Sequence, residues 1–166
     1  MCSLPAPRLL EVVAPCLGHL DYLIINDFEV AALSQRPIRH GEDVDLWDCL
    51  ANAKDVFDRS SVELLVVHFP RGAIAMQRGA DPLVMPSVAV PKEAIAGSNG
   101  AGDAFASGIL YGMHQGWRLR DALQLAHSAA AASMRHIGTT DSIERWQDCL
   151  ALAKVYGSRT ELEFPA

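Results

Sequence analysis

The amino-acid sequence predicts an α/β fold, and three observations support that prediction. Short apolar runs of strand length, such as DYLII (21–25) and VELLVVHF (62–69), alternate with segments of helical periodicity. The second run is rich in Val and Leu, which is typical of a strand buried on both faces. After Gly97 every segment has helical character. We therefore expect a partly parallel sheet with a helix-rich C-terminal part covering one of its faces.

The predicted elements follow from the positions of apolar residues, Pro and Gly along the chain. A first helix at 4–17 is expected to end or kink at Pro15, because Pro removes a helical hydrogen bond. The other helices are predicted at 27–33, 43–59, 101–116, 119–138 and 141–157. Three of them are expected to stop at a glycine: Gly116, Gly138 and Gly157. Besides the two strands already named, strands are predicted at 73–79, 82–88 and 93–96.

Composition restricts the class of protein. The 166 residues, half of them hydrophobic, are enough for one domain with a core. The 20 acidic and 14 basic residues give a net charge of −6, which argues against a nucleic-acid partner. The four cysteines lack CxxC spacing and the histidines lack HExxH spacing, so free thiols are expected and a zinc site is not. No apolar segment has the length of a membrane span and no signal-peptide pattern occurs, which favours a cytoplasmic protein without a membrane partner.

The segment IAGSNGAGDAFASGI (95–109) places a loop of small residues directly before a helix. The first amides of a helix lack partners and lie at the positive end of its dipole. Gly100, Ala101 and Gly102 have almost no side chain, so an oxyanion could approach those amides closely. A carboxylate at Asp103 would repel a phosphate that is merely bound. It is useful as a base that takes the proton of a hydroxyl in front of a phosphoryl group, so the segment predicts phosphoryl transfer.

Two other interpretations of this loop remain open. Residues 96–100 have the small-x-Ser-x-Gly form of a serine nucleophile elbow, with Ser98 as the nucleophile. The partners of that serine would come from four later residues: Asp121 or Asp141, and His127 or His136. Alternatively, Gly97 and Gly100 only make a tight turn, and Asp103 only favours the helix dipole.

Three motifs, in the same order along the chain, resemble those of the ribokinase-like (PfkB) family of carbohydrate kinases. GSNGAGDAFASGIL (97–110) resembles the signature D-T-x-G-A-G-D-x-F, and NDFE (26–29) resembles the N-x-x-E motif. AHSAAAASMRHIG (126–138) resembles the C-terminal nucleotide-side helix. The resemblance implies a ribokinase-like three-layer α/β/α sheet, with residues 1–166 as a single partial domain, the C-terminal nucleotide-binding half. The N-terminal sugar-binding and lid half would be absent, because the chain is a truncation, a mis-assigned start or a natural remnant.

The resemblance also implies residue roles. Asp103 would be the catalytic base for a hydroxyl of a sugar or nucleoside. Gly100, Ala101 and Gly102, with the Asp103 N–H, would form the anion hole. Glu29 would act on Mg²⁺ through water. Nucleotide contacts would come from six residues: Asn26, His68, Arg71, Gly72, Asn99 and His127. The implied partners are therefore ATP with Mg²⁺ and a small sugar or nucleoside.

Two departures from the family pattern affect these roles. HFPRGA (68–73) resembles the nucleotide loop T-x-G-x-x-G, but it is one residue shorter, with His68 in place of Thr and Pro70 in place of Gly. Gly97 stands where the family usually has Asp, around which many relatives bind a monovalent cation. Such a cation site would use Asn99, Ser133, Gly138 and Ser142.

Three further expectations remain. A sheet without its first strands would expose an edge, so a homo-oligomer or self-association through that edge is expected. Without an acceptor site, the chain could instead be a non-catalytic nucleotide-binding remnant. On the residues alone, Asn26 and Glu29 could equally form an Asx turn and a surface charge.

Overall fold

A computed structural model of the chain describes residues 5–39, 44–139, 144–160 and 162. The chain divides into two compact units, Met1–Val84 with Leu162–Ala166, and Met85–Glu161. The architecture is mixed α/β, as the sequence predicts, and the described residues form a four-stranded sheet.

The first part of the chain contains three helices and the strands of the sheet. Its elements are α1 (Ala6–Val13), a 3₁₀ segment (Ala14–His19), β1 (Tyr22–Asn26), α2 (Asp27–Ser34), α3 (Leu46–Asp58), β2 (Leu64–Phe69), β3 (Gly72–Gln77) and β4 (Leu83–Pro86). The first helix changes to a 3₁₀ segment that has Pro15 in its first turn, which confirms the predicted break.

The sheet has the strand order β1-β2-β3-β4. β1 and β2 run parallel and β2 and β3 run antiparallel, so the prediction of a partly parallel sheet is confirmed. The parallel register pairs Asn26, the last residue of β1, with His68 near the end of β2. Because both strands end at this edge, polar groups that follow the apolar runs lie side by side there.

β2 is the centre of the first unit's core. Leu65, Val67 and Phe69 point to the face where the core forms. The core partners on β3, α2 and α3 include Ile74, Met76, Val30, Leu33, Cys49, Ala53 and Val56. Leu64 and Val66, on the opposite face, are also fully buried. The continuous apolar run of this strand therefore reflects burial on both faces, as predicted.

The second unit is mostly helical. A 3₁₀ turn (Lys92–Ala94) is followed by α4 (Ala101–His114), α5 (Leu119–Ser133) and α6 (Trp146–Tyr156). α4 and α6 end just before Gly116 and at Gly157, both with positive φ, so these two predicted stops are confirmed. No helix in the described part of the chain is long and apolar enough to span a membrane.

α4 and α5 pack with their backbones in close contact. A Cβ atom added to Gly108 would lie 2.5 Å from the Cα of Ala126, and one added to Gly112 would lie 2.6 Å from the Cβ of Ala122. Real Cβ atoms do not approach other atoms this closely, so both glycines are required for this helix pair. The contact fixes the axis of α4 within the second unit.

Two sequence predictions in this unit are wrong. Residues 93–96 are not a strand; Ala94 and Ile95 donate to the carbonyls of Pro91 and Lys92 at 2.9 and 3.2 Å and close a 3₁₀ turn. The helix predicted at 119–138 ends at Ser133, well before Gly138. The physical reason is that the carbonyl of Met134 accepts the amides of Ala96 and Gly97 at 2.9 and 3.3 Å, instead of an amide of its own helix.

Candidate active site

The N-terminus of α4 has no side-chain cap. Gly100 occupies the N-cap position with φ +80°, and its carbonyl accepts the Ala104 amide at 2.9 Å, the first bond of the helix. The Ala101 amide donates to the carbonyl of Ser98 at 3.3 Å. The amides of Gly102 and Asp103 find no acceptor among the residues that the structure describes. These two amides are therefore available to an external acceptor at the positive end of the helix dipole.

Asp103 is the third residue of α4 and its side chain is exposed. Its carboxylate makes no hydrogen bond or ion pair within the described ranges; its backbone carbonyl accepts the Ser107 hydroxyl at 2.8 Å. A carboxylate in the first turn commonly caps its own helix. This one remains available, within one turn of two unbonded amides.

The loop before α4 lies along the segment that follows α5. Besides the two bonds to the Met134 carbonyl, a Cβ added to Gly97 would lie 3.4 Å from the carbonyl oxygen of His136. A Cβ added to Gly100 would lie 3.2 Å from the Cβ of Thr139. Residues 134–139 therefore form the backing of this loop, a role that no sequence motif indicated.

His127 lies on α5 and is only 4% exposed. Its ring packs edge-on against the ring of Phe105 on α4, with 5.0 Å between the ring centroids. The nucleotide contact implied for His127 stays a prediction, and only a small part of its surface is open to such a contact. In the structure the residue supports the packing of α4 on α5.

Asn26 and Glu29 form a complete capping box at the start of α2. The Oδ1 atom of Asn26 accepts the Glu29 amide at 2.8 Å, and the Oε2 atom of Glu29 accepts the Asn26 amide at 2.9 Å. The N-x-x-E spacing therefore has a structural role, close to the Asx-turn alternative that the sequence left open. The Oε1 atom of Glu29 has no partner in the described part of the chain and could contact Mg²⁺ through water.

The predicted nucleotide loop is a tight hairpin between β2 and β3. Pro70 and Arg71 form the turn, and Gly72 is already paired with Phe69 in the sheet. His68 is half-buried opposite Asn26. The first unit thus brings together Asn26, Glu29, His68 and the 70–71 turn at one edge of its sheet, and the second unit brings together residues 98–103 and the 134–139 segment.

The monovalent-cation set is only partly described. Ser133 is buried and its hydroxyl donates to the Ala130 carbonyl at 2.9 Å, Gly138 is half-buried, and Asn99 is exposed. Ser142 lies outside the described residues. Within the residues that the structure describes, no group of three or more His, Cys, Asp or Glu side chains could hold a metal ion.

The described residues contain no catalytic triad around Ser98, which the serine-hydrolase interpretation requires. Ser98 is exposed, and no described histidine donates to or accepts from its hydroxyl. Asp121 is paired with Arg118 at 2.8 Å, and His127 is buried against Phe105. Asp141 lies outside the described residues. Among the described residues, the elbow-like spacing is therefore not accompanied by a base in contact with the serine.

Comparisons with known proteins agree with the fold and the motifs. A model of the pfkB family carbohydrate kinases matches residues 1–146. Adenosine kinase 1 of Arabidopsis thaliana is 27% identical over 151 residues, which cover 83% of this chain and 41% of that protein. The chain spans about two fifths of the length of the curated relatives it matches.

Two solved structures show the same fold. Arabidopsis thaliana ribokinase, complexed with ribose and ATP, is 21% identical with a TM-score of 0.72 over 83% of this chain and 42% of its own. Burkholderia thailandensis nucleoside kinase, in complex with inosine, is 20% identical with a TM-score of 0.68 over 88% of this chain and 44% of its own. With the family model matching most of the sequence, the chain belongs to the pfkB family of carbohydrate kinases.

Proposed function

We propose that this chain takes part in transfer of the γ-phosphoryl group of ATP to a hydroxyl of a small sugar or nucleoside. Family membership supports a kinase. The observation that supports the assignment of the site is the start of α4, where two amides without a described acceptor lie within one turn of an exposed carboxylate. The names of the similar proteins, adenosine kinase, ribokinase and nucleoside kinase, favour a ribose-containing acceptor.

Asp103 is the proposed base. As the acceptor oxygen forms its bond to the γ-phosphorus, the carboxylate takes the hydroxyl proton, and the bond from the γ-phosphorus to the bridging oxygen breaks to release ADP. The amides of Gly102 and Asp103 stabilise negative charge on the oxygens of the transferred group, and Gly100 and Ala101 allow close approach. This arrangement needs no side-chain cation at the start of α4.

The nucleotide-side residues of the first unit belong to the same proposal. Asn26, His68, Arg71 and Gly72 would contact ATP, and Asn99 is a further proposed nucleotide contact. Glu29 would hold Mg²⁺ through water with its Oε1 atom, since Oε2 already accepts the Asn26 amide. Bound Mg²⁺ would neutralise charge on the phosphates.

The experiment measures ATP·Mg²⁺ binding by calorimetry and ADP production with adenosine, inosine or ribose as acceptor. In Asp103→Asn we expect kcat to fall by about 10²–10⁴ because the base is lost, while ATP affinity stays close to wild type. Asp148→Asn is the matched control, because Asp148 is an exposed aspartate in the same third position of α6. Full turnover in Asp103→Asn would rule out the proposed base.

A second candidate function is nucleotide binding without catalysis. The observation in its favour is that the chain spans about two fifths of the length of its curated relatives. It predicts calorimetric binding of ATP with no transfer to any of the three acceptors, and an Asp103→Asn variant that is indistinguishable from wild type. Transfer to any acceptor would exclude it.

A further inference from the structure

We propose that Thr139 is a positioning residue for the phosphoryl-transfer loop, and that its methyl group holds Gly100 in the conformation that leaves the next amides open. The inference rests on the proposed function, because it assigns a support to the same anion hole. Thr139 lies outside the three family motifs, at 26–29, 97–110 and 126–138. It follows α5 and lies in the segment that backs the loop.

The contact between Thr139 and Gly100 is tight. A Cβ built on Gly100 would lie 3.2 Å from the Cβ of Thr139 and 3.3 Å from both its Cα and its Cγ2. Few real Cβ atoms approach a neighbour so closely, so the side chain of Thr139 already fills the space beside the Gly100 backbone. The atoms that make this contact are carbons of Thr139, which assigns the contact to its methyl side.

Gly100 determines the direction of the first turn of α4. Its φ of +80° is a left-handed conformation that glycine adopts freely, so the backbone at this point is also free to leave it. A β-branched side chain has few χ1 rotamers and therefore provides a stiff surface. Thr139 thus restricts a glycine whose rotation would redirect the amides of Gly102 and Asp103.

The rest of the segment holds the loop without side chains. The Met134 carbonyl accepts two loop amides, and the His136 carbonyl oxygen lies 3.4 Å from a Cβ built on Gly97. These backbone contacts fix residues 96–97. The three atoms nearest to a Cβ built on Gly100 all belong to Thr139, which places this residue beside the start of α4.

The test uses the pair Thr139→Val, which keeps the methyl group and replaces the hydroxyl with a second methyl, and Thr139→Ser, which keeps only the hydroxyl. We expect Thr139→Ser to lower kcat by about tenfold with little change in the KM of the acceptor, because a small misplacement of the anion hole affects the transition state. Thr139→Val should restore wild-type kcat. Val155→Ala, an exposed substitution on α6, is the control for general effects in the second unit.

A second measurement does not depend on turnover. In ¹⁵N relaxation of the unliganded chain, Thr139→Ser should lower the order parameters of residues 100–103, and Thr139→Val should not. Unchanged order parameters and unchanged kcat in Thr139→Ser would overturn the inference. Lower order parameters and lower kcat in Thr139→Val alone would also overturn it, because they would assign the role to the hydroxyl. If the wild type transfers no phosphate, the proposed function fails, and the relaxation data still decide the role of Thr139.

Discussion

The N-termini of α2 and α4 differ in whether side chains cap their first amides. Both helices begin with amides that lack intrahelical partners. In α2 the side chains of Asn26 and Glu29 cap each other's amides reciprocally. In α4 the N-cap residue is Gly100, which has no side chain to offer, and the amides of Gly102 and Asp103 have no described acceptor.

An acidic residue in the first turn of each helix also differs in its exposure to solvent. Asp27, the first residue of α2, is 3% exposed, whereas Asp103 on α4 is exposed to solvent. A cap typically contributes about 1 kcal/mol to stability, so an uncapped helix start gives up stability that this chain secures elsewhere. The difference is that the start of α2 is stabilised by its own side chains, whereas the start of α4 leaves two amides without a described acceptor, as the proposed anion hole requires.

Among the variants that test this difference between the two helix starts, Gly100→Ala is expected to have the largest effect. The positive φ costs about 1–2 kcal/mol for a residue with a Cβ, and that atom would press on Thr139. Gly116→Ala is the matched control, because Gly116 has φ +71° and nothing within 4 Å of its Cβ position. We expect the unfolding midpoint to fall more in Gly100→Ala, and turnover to fall only there. Equal losses in both variants would mean that the Thr139 contact is unimportant.

The next effect concerns the capped helix. Asn26→Ala should lower the free energy of unfolding by about 0.5–2 kcal/mol, because the Glu29 amide loses its acceptor. Asn26→Ser should recover most of this loss, since a hydroxyl can accept the same amide. Chemical denaturation of the three proteins measures the difference. An unchanged midpoint in Asn26→Ala would show that the capping box does not stabilise α2.

The buried thiol of Cys49, on α3, predicts that the stability of the protein depends on pH. Burial, with the charge of Asp27 as a smaller cause, raises the pKa of the Cys49 thiol to about 12 from its ordinary value of 9.0. The unfolded chain releases this proton first, so stability is intact below pH 9 and is lost between pH 9 and 12 by up to about 1.4 kcal/mol per pH unit. Cys49→Ala should flatten that slope in denaturation curves at pH 9–11. Parallel slopes would contradict the raised pKa.

The smallest effect on stability is expected from Glu29→Gln, which separates the capping role of Glu29 from its proposed Mg²⁺ role. Glu29→Gln keeps an acceptor for the Asn26 amide, so the unfolding midpoint should change by only a few tenths of a kcal/mol. If Glu29 also holds Mg²⁺, the Mg²⁺ concentration that gives half-maximal turnover should rise. Glu29→Ala is the control that removes both functions. An unchanged Mg²⁺ requirement would restrict Glu29 to the cap.

Much of the fold could be predicted because it depends on local patterns. The apolar runs gave β1 and β2, and Pro15, Gly116 and Gly157 marked breaks and stops. Residues 93–96 were mistaken for a strand because short apolar segments do not distinguish strand from 3₁₀ turn. α5 ends early because the carbonyl of Met134, the residue directly after it, accepts amides from residues far away in the sequence, which periodicity cannot show.

The candidate site could be predicted only where a motif is contiguous. The GAGD segment indicated both the open amides and the carboxylate, because all of them lie within four residues. The support of Gly100 by Thr139 depends on two residues that lie far apart in the sequence, and no spacing rule connects them. The burial of His127 depends on how closely α4 and α5 approach, which is set by Gly108 and Gly112.

The most direct measurement is the NMR response of backbone amides to ADP·Mg²⁺ with aluminium fluoride and an acceptor nucleoside, a mimic of the transferred phosphoryl group. If the open start of α4 receives that group, the amide protons of Gly102 and Asp103 will move downfield as they gain an acceptor, while the Glu29 amide, already bonded to Asn26, will not. Unmoved Gly102 and Asp103 signals in a protein that binds the mimic would contradict the account.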